Sequence, residues 1–224
     1  MKRIPEPEEL MDDPAQAQAY AEADFSEPNN LFLELFAAVH GGPFDGLALD
    51  LGCGPGDIPL DLAQRHPAAR IHAVDGAPAM LSLAQQKLAD RPELAGRVAW
   101  RCDHLPCDTL PAAAYQAVLS NSLLHHLADP LDLWRTVARC AAPGATVLVM
   151  DLARPHSEVA VDALVEAHAL DAPEVLRRDF RNSLCAAYTP VEVADQLAAA
   201  GLPALAVRMV SDRHLAVLGH WPAA

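Results

Sequence analysis

Four groups of residues in this chain have types and spacings that could do chemistry. The first is Asp50-x-Gly52-x-Gly54-x-Gly56, which closes the apolar run from Leu47 to Leu51 and leads into a helical pattern at Asp57. A strand that stops in a glycine turn and restarts as a helix points backbone N–H groups and a positive helix end at one spot. Glycine keeps side chains out of a ligand's way there and accepts positive φ. The second group is Asp75, 19 residues after Gly56 at the end of the next apolar run. The third is His125-His126, in Asn121-Ser122-Leu123-Leu124-His125-His126-Leu127. These rings could serve as a base, as hydrogen-bonders to a substrate, or as packing. The fourth is Cys102-x-His104-x-x-Cys107, whose residue types chelate metals but which has no evident fourth ligand. No metal is expected.

The glycine spacing decides what the first group can hold. A dinucleotide fingerprint needs G-x-G-x-x-G, yet counting from Gly52 and from Gly54 puts Asp57 and Pro59 where the last glycine belongs. No Lys-Ser/Thr follows, so the phosphate-loop pattern fails too. What remains, an acid two residues before three alternating glycines, resembles motif I of the class I (Rossmann-like) S-adenosylmethionine (SAM)-dependent methyltransferases, small-molecule branch. The cofactor that this implies, with S-adenosylhomocysteine as product, has a cationic amino group and a sulfonium. An acid at a strand end favours both.

The resemblance runs from Leu47 to Trp221 and implies roles residue by residue. Asp50, Gly52, Cys53, Gly54 and Gly56 would form the cofactor turn. Asp75, with Gly76 after it, would accept the ribose hydroxyls, and Met80 would pack on adenine. Asp103, with His104 beside it, would accept from the adenine amino group. Asn121 and Ser122 stand in motif IV, where family members more often carry an acid; Asn121 keeps the hydrogen-bonding capacity without the charge. His126, ahead of His125, is the candidate catalytic group, with Tyr20 as a third candidate. Tyr20 and Phe25 would lie over the methionine end, where a ring meets a sulfonium as a cation–π contact. Phe25, Arg177, Arg181 and Asn182 are the candidate acceptor-binding residues, the last three as donors.

Elements must then position these groups. The chain alternates strand and helix: strands at about 46–51, 70–74, 97–102, 116–120 and 145–151, with helices between at about 57–65, 78–89 and 130–141. That order implies an α/β doubly wound sheet, mostly parallel. Two helices, about 8–24 and 30–40, precede it as an N-terminal cap over residues 1–42. Residues 43–224 are the core, interrupted after strand five by a helical insertion at about 155–189. Thr189-Pro190-x-Glu192 reads as a capping box opening another helix. Strands at 205–210 and 214–221 form a closing hairpin, giving seven strands in all, the class I methyltransferase fold.

Composition narrows the partners. The 224 residues carry a formal net charge of −14, which repels phosphate backbones, so no nucleic acid is expected. Five cysteines without a C-x-x-C read as reduced thiols in a cytoplasmic protein. The first residues lack a hydrophobic targeting core, and no apolar run of membrane length exists, so no membrane partner is expected. A monomer or homodimer acting on a small-molecule acceptor is the expected form. The alternatives are methylation of a protein or other macromolecule, and a SAM-binding module without turnover. The glycine spacing disfavours a nicotinamide dehydrogenase. If Gly54 must stay bare to admit SAM, Gly54→Val abolishes SAM binding while the fold survives. Titration calorimetry with far-UV circular dichroism on the variant checks this.

Overall fold

The computed structural model describes residues 1–6 and 10–223. Seven strands form one sheet: β1 Leu47–Leu51, β2 Arg70–Asp75, β3 Val98–Cys102, β4 Tyr115–Asn121, β5 Ala141–Leu152, β6 Ala206–Met209 and β7 His214–His220. Their order is β3-β2-β1-β4-β5-β7-β6. The first five run parallel, and β7 is antiparallel to both β5 and β6. This is the sheet expected of the class I methyltransferase fold, with the order reversing between β1 and β4. At such a switch point the crevice beyond the strand C-termini opens.

Alternation along each strand builds two cores. Leu49, Leu51, Val118, Val147, Val149, Leu215 and Val217 face one side, against Leu133, Trp134 and Val137 of α5 (Leu131–Cys140) and Val193 and Leu197 of α8 (Pro190–Ala199). Ala48, Ala117, Leu119, Leu148, Met150 and Ala216 face the other. There they meet Phe32, Leu33 and Phe36 of α2 (Ser26–His40), Ile58, Leu60 and Leu62 of α3 (Asp57–Arg65), and Leu81 of α4 (Pro78–Ala89). Both faces of the central strands are covered, so those strands are apolar throughout rather than alternating apolar and polar.

The N-terminal region departs from the sequence expectation in two places. The expected helix from about 8 begins at Pro14 instead; positions 8 and 9 lie outside the described residues. Asp13 caps α1 (Pro14–Glu22) by accepting from Gln16 N, with Pro14 as the first helical residue, where its missing N–H costs nothing. The second helix starts at Ser26 rather than near Asn30, because Pro28 falls in its first turn and is tolerated there. Its aromatic face is buried on the sheet, so α2 is a layer of the core. Of the two helices, α1 with the segment before it lies over the crevice, and α2 reaches it only with its first turn.

Two further differences concern strand five and the motif IV loop. β5 begins at Ala141, and Pro143-Gly144 is taken up as an irregularity: Tyr115 pairs with Ala141, but Ala117 with Thr146. After β4 the chain makes a short 3-10 turn, Leu124–His126. The insertion folds as α6 (Glu158–Ala169) and α7 (Glu174–Ala186), which pack together through Val161, Val165, Leu184 and Cys185. No described helix is long and apolar enough to cross a membrane.

The expected capping box is present. Thr189 Oγ1 accepts from Glu192 N at 3.3 Å, and Glu192 Oε2 accepts from Thr189 N at 2.8 Å. Arg154 donates to the same carboxylate at 2.6 Å, tying α8 to the chain just past β5. Thr189→Ala removes one half of the box and is expected to cost about 1 kcal/mol. In a chain of this size a thermal melt should read that as a Tm loss of about 2–4 °C.

Candidate functional site

The glycine turn is closed by its own backbone. Gly52 N and Cys53 N both donate to Val74 O, at 2.8 and 3.0 Å. Gly54 N donates to Asp75 Oδ2 at 2.7 Å, and Gly56 N to Cys53 O at 3.1 Å. The sequence reading expected these N–H groups to point at a ligand. They are spent inside the turn, because β2 lies alongside and supplies the acceptors. What the turn offers is space. A Cβ on Gly52 would strike Leu123, and one on Gly56 would strike Trp100 at 2.7 Å, so these two glycines serve packing. A Cβ on Gly54 would meet nothing within 4 Å. A valine there would therefore intrude only on a ligand, apart from the strain of its positive φ of 52°.

Beside that space sit two buried acceptors with nothing to accept from. Asp50 is 1% exposed, and neither carboxylate oxygen has a hydrogen-bond partner. Asn121 Oδ1 is likewise buried and unpartnered. Asp50, Asn121, Gly52 and Gly54 line one small recess, with Tyr20 and Phe25 at its edge. Burial, and then the charge of Asp75, push the Asp50 pKa up to about 7. An orphaned buried carboxylate is costly and asks for a donor. A cationic amino group satisfies it; a phosphate would not. The residues present therefore fit a ligand such as SAM.

Asp75 holds the neighbouring position. Its oxygens accept from Gly54 N at 2.7 Å and Ala77 N at 2.8 Å, and each keeps a lone pair for a hydroxyl. Burial raises its pKa against those bonds. Leu10 and His104 press against Gly76. Met80 is buried with Ala17 and Ala77 and packs near Met11 and Tyr20. Asp103 accepts from Cys107 Sγ at 2.8 Å, Thr109 Oγ1 at 2.7 Å and its neighbour His104 N at 2.9 Å. The Cys107 and Thr109 bonds lower its pKa, and most of its accepting capacity is used within its own loop. Cys53 is buried, and burial, followed by the charges of Asp50 and Asp75, drives its thiol pKa well up.

A second, larger cavity of about 1050 Å³ opens next to the recess, between α1, α7, the ends of β4 and β5, and the turn before β7. Tyr20, Phe25, Asn121, Ser122, His125, His126 and Asn182 line it. Arg177 and Arg181 do not, and Arg181 pairs with Asp162 of α6 at 3.0 Å. Ser122 takes φ +56°, a strained conformation for a residue with a side chain, where β4 breaks into the 3-10 turn. Tyr20 stacks on Phe25 at 4.6 Å. Burial, then Asp57, Asp75 and Asp151, push its phenol up to about 12, so it is a neutral donor and not a base.

The two histidines differ. His125 is 3% exposed, and its Nδ1 meets Asp151 Oδ1 at 2.6 Å. Asp151 also accepts from Leu124 N at 2.7 Å and Leu152 N at 2.6 Å. Burial pulls the His125 pKa down, but Asp151 outweighs it and the net shift is upward. His126 is more open and forms an ion pair through Nδ1 with Glu6, although no hydrogen bond of ordinary geometry joins them. The Glu6 carboxylate also accepts from Ser183 Oγ at 2.6 Å. Glu6 and Asp151 escaped the sequence reading. Each lies far in sequence from the histidine it serves, so no local pattern marks it.

The parallel sheet with its switch point, and a turn built for a cationic rather than a phosphate ligand, define the class I methyltransferase architecture. Residues 49–147 match the family model of the methyltransferase domain. The fold of the chain is that of the class I methyltransferases. It is 33% identical over 107 residues to an uncharacterized methyltransferase of Mycobacterium tuberculosis, covering 48% of this chain and 51% of that one. It is 30% identical over 137 residues to trans-aconitate 2-methyltransferase of an Acidovorax species, covering 61% of this chain and 48% of that one. The chain thus spans about half the length of the curated relatives it matches. A putative SAM-dependent methyltransferase structure from Methanococcus maripaludis superposes with a TM-score of 0.74 at 15% identity, over 99% of this chain and 98% of that one.

Asp50 generates a pH prediction. Its folded pKa of about 7 lies above its ordinary 3.8. Its contribution to stability is fully present below pH 3.8 and is lost as pH rises through about 7. Asp50→Asn removes that loss. Between pH 5 and pH 8, wild type should lose on the order of 2 kcal/mol relative to the variant. Paired urea melts of the ligand-free proteins at both pH values check this; parallel pH profiles would mean that Asp50 is not held uncharged in the folded chain.

Proposed function

We propose that this chain is a methyltransferase that moves the methyl group of SAM onto a small-molecule acceptor bound in the large cavity. The observation that carries the reading is the buried, unpartnered pair of acceptors, Asp50 and Asn121, beside the bare Cα of Gly54. Asp50 and Asn121 would hold the amino group, and Asp75 the ribose hydroxyls. Met80 and Asp103 would take the adenine side. SAM supplies an already activated methyl group. The chain's own task is to align an acceptor, exclude water and, where the acceptor arrives protonated, receive its proton.

The cavity wall supports an acceptor that is neutral or positively charged. Glu6, Glu22, Asp24, Glu27, Asp171 and Asp179 line it, against Arg178 and Arg213, both already paired with carboxylates. Trans-aconitate, a tricarboxylate, suits that wall poorly. Tyr20 with Phe25, and His126 with Glu6, all line the acceptor space. His125 is a positioning residue: its ring is fixed by Asp151, and it sets the turn that presents His126.

Calorimetry with S-adenosylhomocysteine tests the cofactor half. Asp75→Ala should weaken binding by about 2 kcal/mol, the scale of hydrogen bonds to a charged group, or roughly 30-fold. Unchanged affinity in a folded variant would sink the ribose assignment. A methyl-transfer screen with labelled SAM over amines, phenols and carboxylates tests the other half. Carboxylates should be the poor class, and Arg181→Ala should leave both affinity and turnover as they are.

A further inference from the structure

Among the described residues, one group of three offers metal-ligating atoms that all lie within 4.8 Å of one another: Glu6, His125 and His126. The Cys102–His104–Cys107 spacing does not make such a group. Cys107 Sγ is bonded to Asp103, and the His104 ring lies against Gly76. The three residues come from opposite ends of the fold. Glu6 is held by the segment before α1, where Arg3 Nη2 donates to His125 O at 2.9 Å and Ile4 N donates to Cys185 O at 3.0 Å. The histidines sit on the 3-10 turn after β4, their ring centroids 4.1 Å apart.

Two of the three donors are already oriented by a partner behind them. Asp151 accepts from His125 Nδ1, so the lone pair of the neutral ring is on Nε2. A carboxylate behind a histidine is the usual way a protein fixes the tautomer of a metal-binding imidazole and raises its basicity. Ser183 Oγ donates to Glu6 Oε1, which leaves Oε2 for a cation. That oxygen faces His126 Nδ1 as a charge partner without an ordinary hydrogen bond.

We propose that Glu6, His125 and His126 bind one divalent transition-metal ion. Two imidazoles and one carboxylate form the donor set of open catalytic zinc sites and of the non-haem iron triad. All three residues line the large cavity, so coordination positions not taken by the protein open into it. The site does not rest on the methyltransferase reading.

The test uses the whole chain, stripped with chelator and titrated with Zn²⁺ by calorimetry, then with Co²⁺ by absorption spectroscopy. One equivalent should bind. The Co²⁺ spectrum should show d–d bands of nitrogen and oxygen ligands and no thiolate charge-transfer band. Glu6→Gln and His126→Ala should each weaken Zn²⁺ at least tenfold, while Cys102→Ser, which removes the exposed thiol, leaves it unchanged. Glu6→Gln changes only the N-terminal segment and keeps the test valid if a histidine variant misfolds. No binding, binding that Glu6→Gln leaves intact, or a thiolate band that Cys102→Ser abolishes would each overturn the site. S-adenosylhomocysteine affinity, measured on the stripped protein, is read separately and reports on the cofactor alone.

Discussion

The molecule is organised by the contact between the glycine turn and the end of β2. Val74 O takes the N–H groups of Gly52 and Cys53, and the Asp75 carboxylate takes that of Gly54. One strand end thereby fixes the conformation of the neighbouring turn and the start of α3. The cost is electrostatic. Asp75 is brought close enough to Asp50 to raise the latter's pKa, and Asp50 has no donor of its own. Two acids share a poorly solvated crevice, and the fold supplies no cation between them. A ligand with an amino group and two hydroxyls answers both acids at once, which is why the turn reads as a binding site and not only as a tight βα connection.

The rest of the crevice is assembled from chain that the sheet does not need. The segment before α1 reaches across the strand ends: Leu10 covers Gly76, Asp12 accepts from Ala79 N at 3.2 Å, and Glu6 meets His126. From the other side, α7 supplies Ser183 to Glu6 and Asp179 to Gln16 of α1 at 2.8 Å. The large cavity is the gap between these two additions. Its acidic wall follows from their composition, since the N-terminal thirty residues carry eight acids against Lys2 and Arg3. Under the proposed function, a site floored by the sheet and roofed by additions would change its acceptor without touching the cofactor end.

The paired histidines show how burial separates neighbours of one type. Both are near carboxylates, but Asp151 is itself buried and bonded to backbone, so His125 is locked. Glu6 comes from the N-terminal segment and holds His126 at the cavity edge. The same dipeptide therefore contributes one fixed ring and one available ring.

The amino-acid sequence by itself determined the sheet and the turn, and through its resemblance to motif I it pointed to the cofactor class. Strand alternation, the break at each glycine or proline, and the Asp-x-Gly-x-Gly-x-Gly spacing are local signals, carried by residues within a few positions of one another. The Thr189–Glu192 box is local too, and was legible for that reason. Element ends were less so: Pro14 and Pro28 each sit in a helix's first turn, a start that the apolar pattern alone did not mark. What only the tertiary structure decided is pairwise and long-range. It spent the turn's N–H groups on β2, left Asp50 unpaired, and buried α2 as a core layer. It also turned Arg181 toward Asp162 and away from the cavity, and carried Glu6 to His126 across 120 residues. None of these has a sequence period, because each is set by which elements happen to lie side by side once the sheet has closed over its two cores.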